Sequence, residues 1–547
     1  MKNIFLQWKS CFRNGGVTSF DVFDTVITRC AMSSFGIFAY MQEQLRSKYA
    51  TVFPKHIVNN FQRIRIEAEG CARKRMSLYN KQEIKLIDIY QCLAYDNILS
   101  DEQIRILIDL ETDIETIYSY PIPETISLIK YILSQDQRVI FISDMYLPTN
   151  VIRTMLVNAD PLFANIPLYV SGEMNAKKST GEIFKLVSRK EDIDYGHWVH
   201  IGDNIKSDVE VPRKLGIKTI HVDFASNDAI DRFLDAHFTN NTFAHLYGGC
   251  AKLAKLHNDS ISYEIGARFG GPLLVGYAEW LLELSLRANM QEIYFVSRDG
   301  FVPKRMCDAI IKARGYKIRT KYIYGSRKAF TSKDVNQREL LEHYILQEID
   351  INQNSIFVID SFGVGKSIEE LAKIIHKYSN IPVYSAHFKR TNYLFSDRYT
   401  TKCEFAKEID VWDNIEIIAS APEGSCLGYY SETDGRVCPL INEKMTKKIV
   451  NFGYNEYIEG IDKFIEIYLK FNACSSFNSS SLDVLEEYIT ILNRFPTKNL
   501  TRFLLDFPEK NQGFMFKYIR KAEIKFKKAK FLLKRIEKQK LINLIFN

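Results

Sequence analysis

Ser19-Phe20-Asp21-Val22-Phe23-Asp24-Thr25-Val26 is the stretch whose reading decides the fold. A polar Asn14-Gly15-Gly16 turn precedes it. Apolar residues then lead into a carboxylate, and Thr25 follows four positions later. This layout predicts an aspartate at the carboxyl end of a buried strand, the edge where open α/β sheets place their ligands. A carboxylate there can act as a nucleophile or hold a metal.

Three further pieces follow in order. Arg138-Val139-Ile140-Phe141-Ile142-Ser143-Asp144 reads as a buried strand ending in a hydroxyl. Lys178, in Lys177-Lys178-Ser179-Thr180-Gly181-Glu182, is a lysine on a loop that opens a helix. His200-Ile201-Gly202-Asp203-Asn204-Ile205-Lys206-Ser207-Asp208 reads as a strand, a Gly-Asp turn and a second acid. Asp, Ser, Lys and a late acidic pair in this order resemble the haloacid dehalogenase (HAD) superfamily over residues 15–225. Asp21 matches its first motif, Ser143 the second, Lys178 the third, and Gly202-Asp203 through Asp208 the fourth.

The resemblance implies an α/β fold, with a Rossmann-like parallel sheet and a helical cap inserted after motif one. It also implies Mg²⁺ as cofactor and chemistry through a phospho-aspartate. Asp21 becomes nucleophile and metal ligand, the Phe23 carbonyl and Asp203 further ligands, and Asp208 a support for Lys178 or for metal-bound water. Ser143 and Lys178 would bind the phosphoryl oxygens, which need positive neighbours and hydrogen-bond donors. Oxygen ligands suit Mg²⁺.

One departure stands out. Family phosphatases carry an acid–base aspartate two residues after the nucleophile, where this chain has Phe23. Asp24 should point to the opposite face if the strand continues, and Asp144 would approach from the neighbouring strand. Either is a candidate replacement. Dehalogenases also lack that acid, but no halide pocket is marked.

A chain of 547 residues is too long for one core. The expected division is a HAD-like domain over 1–235 with a cap about 33–128, a second Rossmann-like α/β domain over 236–440, and a helical region over 441–547. Between motifs one and two the patterning is helical: Ile37 to Lys48, His56 to Arg75, Leu86 to Leu93, Asp101 to Tyr118 and Glu124 to Leu133. Arg65, Glu69 and Arg73 fall four apart on one face, as an ion-pair series or as contacts for an anionic substrate.

Ser262 to Leu286 reads as a long helical stretch that Gly266 lets pack closely and Gly270-Gly271-Pro272 breaks or kinks. Glu292 to Gly300 then echoes the strand and loop at Ser143, and Ser355 to Ser367 echoes motif four, a degenerate repeat. Gly365-Lys366-Ser367 is no P-loop, because the pattern needs glycine where Asp360 stands. The loops Ser297 to Gly300, Tyr324 to Lys328 and Asp360 to Lys366 should end strands of one sheet.

Hydrophobic content is 46% and charged content 25%, ordinary for a soluble protein. No apolar run reaches the roughly 18 residues of a membrane span. The apolar stretch within the first nine residues is too short for a signal peptide. Ten scattered cysteines without CxxC pairs point to free thiols in a reducing cytoplasm. Lys517 to Lys540 holds eleven Lys or Arg and two Glu, a net of +9 against +7 for the whole chain. Interleaved with Ile524, Phe526, Phe531, Leu532 and Ile536, it suits peripheral contact with an anionic membrane, an acidic partner or a packed helix face. No signature supports nucleic acid.

The strings Ser-Phe-Asp-Val-Phe-Asp-Thr, Ile-Ser-Asp-Met-Tyr-Leu-Pro, Tyr-Phe-Val-Ser-Arg-Asp-Gly and Ala-Pro-Glu-Gly-Ser also resemble large bacterial HAD-like proteins found with surface-polysaccharide and capsule biosynthesis. That likeness implies a phosphorylated sugar or glycan intermediate as substrate. The competing expectation is an inactive HAD scaffold that recruits glycan-assembly proteins.

Overall fold

The computed structural model describes residues 2–12, 15–79, 81–363, 365–390, 399–406, 415–472, 479–494 and 497–508. The basic stretch from Lys517 to Lys540 lies outside them. The chain divides into two compact units, Met1–His257 and the residues from Asn258 on. Both are α/β, each built on a five-stranded parallel sheet.

In the first unit β1 is Val17–Phe20, wholly buried. It leads into β2, Ile27–Arg29, which pairs antiparallel with β3, Ser119–Pro121. Then come β4, Arg138–Ser143, β5, Leu168–Val170, β6, Trp198–Gly202, and β7, Lys218–His221. The sheet order is β5-β4-β1-β6-β7. Phe20 lies opposite Phe141 on one side and Ile201 on the other, so β1 is central. Strands buried on both faces read as continuous apolar runs, which is why Val-Ile-Phe-Ile was legible as a strand. Ile140, Ile142, Phe184, Val187 and Trp198 make the core on one side.

The chain does not continue straight after Asp21. The Val22 carbonyl accepts both the Val26 and Ile27 amides, at 2.9 and 3.0 Å, forming a wide turn. Asp24 takes a left-handed conformation, φ 58°, which Asp and Asn tolerate better than most residues. Strands β2 and β3 then carry the chain out to the cap and back.

The cap is four helices, Phe35–Lys48, Lys55–Leu78, Leu86–Asn97 and Asp101–Ile117. The return strand β3 ends it before 128. The helix Pro123–Ser134, expected within the cap, instead packs on β4, with Leu128, Ile129 and Ile132 fully buried. Arg65 is not open to a substrate. It is 0% exposed, forked onto Glu111 at 2.7 and 2.7 Å, and stacked over Phe38 and Tyr146. Arg73 is tied to Glu69 and Glu83. The four-apart series is therefore an internal ion-pair network of the cap.

The first unit runs past 235 to His257, because the helix Thr242–Lys255 packs against Phe35–Lys48. Gly249 makes this possible: a Cβ there would lie 2.5 Å from the Ala31 amide nitrogen.

The second unit contains β8, Glu292–Val296, β9, Arg319–Ile323, β10, Ile356–Ile359, β11, Phe362–Gly363, β12, Val383–His387, β13, Lys389–Arg390, and β14, Thr401–Glu404. Its main sheet runs β14-β12-β10-β8-β9. Counted along the chain, the first sheet has strand order 3-2-1-4-5 and the second 2-1-3-4-5. Both are doubly wound patterns, but they differ. The second sheet therefore does not repeat the connectivity of the first. The Gly-Gly-Pro segment does not break its helix. Ile261–Ile265 passes through a π-helical Gly266–Gly270 into Gly271–Arg287. A Cβ on Gly266 would meet the Tyr457 carbonyl at 1.9 Å, so only glycine admits the helix Tyr454–Phe471 there. The described part of the C-terminal region, Glu443–Asn451 to Lys498–Asp506, is helical.

Candidate active site

Asp21 follows the central strand at the point where the chain passes to opposite sides of β1. That switch point is the ligand crevice of open α/β sheets. Asp21 is 6% exposed. Lys178 reaches it from the loop before the helix Glu182–Glu191, with Nζ donating to Asp21 Oδ1 at 2.5 Å and Asp208 Oδ1 at 2.6 Å. Asp21, Asp203 and Asp208 each offer a carboxylate oxygen, and these atoms lie within 4.8 Å of one another.

Each member has a local reason for its position. Asp208 sits on the π-helical segment Ile205–Glu210, whose start Asn204 caps by accepting the Lys206 and Ser207 amides. Gly202 lets Asp208 approach: a Cβ there would lie 2.5 Å from both Cβ and Cγ of Asp208. Both Asp208 oxygens are occupied, Oδ1 by Lys178 and His200, Oδ2 by the Asn204 amide at 3.0 Å. Asp208 is thus a support, while Asp21 and Asp203 keep oxygens free for a cation.

His200 was not singled out from the sequence. Its Nε2 lies 3.1 Å from Asp208, and its Nδ1 lies 2.7 Å from the Ser19 hydroxyl, which accepts from Trp198 Nε1. Burial lowers the imidazole pKa, so it is neutral. A neutral ring must present N–H to the carboxylate, so Nδ1 accepts from Ser19. The signal was a histidine inside an otherwise apolar strand.

Burial works to lower the Lys178 pKa, but Asp21, Asp208 and Asp144 outweigh it and hold the ammonium charged. Burial pushes Asp21 up, against Lys178, with Asp208 and Asp203 adding to the rise. Burial also raises Asp203 to about 6, helped by Asp24 and Asp208. For Asp208 the burial effect is overcome by Lys178 and His200, and its pKa falls. Three carboxylates face one ammonium. Buried charge left unpaired in this way is costly, and a divalent cation would compensate it.

Ser143 ends β4 beside β1, and its hydroxyl is buried without a hydrogen-bond partner, as is that of Thr25. Two orphaned hydroxyls are donors awaiting acceptors. Asp144 is used differently from expectation. Both its oxygens accept the Lys178 backbone N–H, at 2.9 and 3.1 Å, so it positions the lysine loop. Burial raises its pKa against Lys178. Asp24 does not point away, because the strand ends before it. It accepts from the Thr28 hydroxyl at 2.6 Å and lines a cavity of about 380 Å³ together with Asp203, Arg29, Ser33, Asn227 and Lys252. The Phe23 ring lies under the Arg29 guanidinium, 4.3 Å away.

In the second unit the expected loops do end neighbouring strands: Ser297 follows β8, Tyr324 follows β9, and Asp360 follows β10. Asp360 ends the central strand, the place Asp21 takes in the first sheet, rather than a motif-four place. Asp299 Oδ2 accepts the Phe362 amide at 2.7 Å, and Ser361 Oγ donates to the Asp299 carbonyl at 3.0 Å.

No family model matches the chain, and no curated protein matches it. Solved structures that resemble it are HAD-like hydrolases. A haloacid dehalogenase-like family hydrolase from Xanthomonas campestris is 14% identical, covers 40% of this chain and 86% of its own, and gives a TM-score of 0.27. A HAD phosphatase from Thermococcus onnurineus is 15% identical over 39% of this chain and 89% of its own, TM-score 0.27. A HAD family enzyme from Bacteroides thetaiotaomicron is 18% identical over 40% and 98%, TM-score 0.26.

Proposed function

We propose that this chain is a Mg²⁺-dependent phosphohydrolase acting through a phospho-aspartate at Asp21, on a phosphorylated sugar or glycan intermediate. The observation that supports it is the convergence of Asp21, Asp203 and Asp208 around Lys178, beside the unpartnered hydroxyls of Ser143 and Thr25. Asp21 and Asp203, with the Phe23 carbonyl, would hold the metal. Mg²⁺ bound there supplies charge neutralisation for the phosphoryl oxygens. Lys178, Ser143 and Thr25 bind those oxygens. An Asp21 oxygen attacks phosphorus as the bond to the leaving oxygen breaks. Asp24, facing the same cavity as Asp203, gives that oxygen its proton. Water then attacks the acyl phosphate, returns a proton to Asp24, and releases phosphate and the Asp21 carboxylate. The place in surface-polysaccharide synthesis rests only on the quoted strings.

Phe23, where an acid–base aspartate is usual, favours the second reading, a scaffold without turnover that recruits glycan-assembly proteins. A screen of sugar phosphates with and without Mg²⁺ separates the two. Metal-dependent phosphate release is expected. Absence of both Mg²⁺ binding and turnover on every substrate would leave the scaffold.

A further inference from the structure

Lys252 takes no part in the chemistry proposed at Asp21. It is 7% exposed, yet it lines the cavity shared with Asp24 and Asp203. Among the described residues it has no hydrogen-bond or ion-pair partner. Its Nζ opens onto the cavity with no counter-charge in contact, and a lysine this enclosed is normally paired. None of the other charged residues of the cavity lies within ion-pair reach of Lys252. Arg29 is forked onto Glu115 at 2.7 and 2.9 Å. Asp203 belongs to the acidic triad, Asp24 accepts from Thr28, and Asp223 is exposed.

The fold goes to some length to bring this lysine in. Gly248 and Gly249 lie inside the continuous helix Thr242–Lys255, where glycine costs about 1 kcal/mol against alanine. A Cβ on Gly248 would lie 2.6 Å from Met32 Cγ, and one on Gly249 2.6 Å from the Cys30 carbonyl carbon. The helix therefore rests directly on the segment leading from β2 to the cap. Lys252, three and four residues further on, shares that face. Asn227 donates its amide N–H to the Met32 carbonyl, which leaves Asn227 Oδ1, also on the cavity wall, buried without a partner.

We infer that Lys252 is a substrate-selecting residue that binds a second anionic group, a carboxylate or a second phosphate, on the molecule whose phosphoryl group meets Asp21. Asn227 Oδ1 accepts from a hydroxyl of the same substrate. The inference rests on the phosphohydrolase reading and adds the substrate class: a hydroxylated phosphate ester with a second acidic group.

Matched probes test it. 3-Phosphoglycerate and glycerol 3-phosphate differ by a carboxylate, and fructose 1,6-bisphosphate and fructose 6-phosphate differ by a phosphate. Turnover is measured with Mg²⁺ for wild type, Lys252→Met and Lys252→Arg. Binding is measured by calorimetry on Asp21→Asn protein carrying the same changes, and thermal unfolding checks each fold. Wild type should prefer the doubly anionic member of at least one pair. Lys252→Met should weaken that member by about 10- to 100-fold, the range of a lost charged hydrogen bond, and spare its partner. Lys252→Arg should restore part of the preference. The pair that responds tells carboxylate from phosphate. Equal losses on both members, or none on either, overturn the inference. Hydrolysis of both members without preference, unchanged in Lys252→Met, would do the same and leave the hydrolase standing. Lys252-dependent binding of a doubly anionic probe with no turnover of any would keep this site and overturn the hydrolase.

Discussion

Asp21 and Asp208 share one ammonium, but in the proposed mechanism only Asp21 reacts. Asp21→Asn keeps the shape and removes the proposed anionic nucleophile. Phosphate release should fall by about a thousandfold or more, as for loss of a nucleophile elsewhere. Thermal unfolding should show a folded protein, and beryllium fluoride with Mg²⁺ should stabilise wild type but not the variant. Turnover at the wild-type rate would remove the phospho-aspartate. Asp24→Asn should slow alkyl phosphates more than aryl phosphates, whose leaving groups need less proton help. Equal slowing of both would remove Asp24 as proton donor. At this scale the sequence was most legible where a residue stood at the end of a strand: Asp21, Ser143 and Asp203 could be placed because an apolar run pointed at each. The roles of Asp24 and Asp144 could not. Asp24 depended on where β1 stopped, and a left-handed residue four positions past a strand leaves no mark in the periodicity, while Asp144 depended on the Lys178 loop meeting it from a distance in sequence.

The cap shows what helical patterning does and does not tell. Its helices were readable to within a few residues, because amphipathic spacing and a capping box such as Ser100 with Gln103 are local signals. Which of them left the sheet was not readable, since Pro123–Ser134 has the same pattern as its neighbours and differs only in packing on β4. The ion-pair series was likewise ambiguous until Glu111 closed over Arg65 from a distant helix. That pair is wholly buried, so removing one partner strands the other. Glu111→Gln should cost about 3–5 kcal/mol of stability in chemical denaturation. Arg65→Met with Glu111→Leu should recover most of the loss. A double variant no more stable than the single one would show that the network, not the stranded charge, carries the stability.

Over the whole molecule, the second unit carries its own buried acids. Burial raises Asp360 to about 7, with Glu416 adding to the rise, and burial followed by Asp360 raises Asp299. Unfolded, Asp360 titrates near about 3.9. Between those values the folded state holds a proton that the unfolded state has released, so stability falls as pH rises from about 4 to 7. The unfolding temperature of the second unit's transition should drop across that range, and Asp360→Asn should flatten the slope. A slope unchanged by that substitution would place the titration elsewhere. The two sheets also bear on descent. Counted from one edge, the second strand leads to a serine and the central strand to an aspartate in both: Ser143 and Asp21 in the first, Ser297 and Asp360 in the second. The chain visits these places in different order, the aspartate strand first in one sheet and third in the other. Collinear alignment of the two halves must then fail even if they share an ancestor. An alignment with the single segment 356–363 transposed ahead of 292–323, and the later strands left in place, is the comparison that would test for kinship.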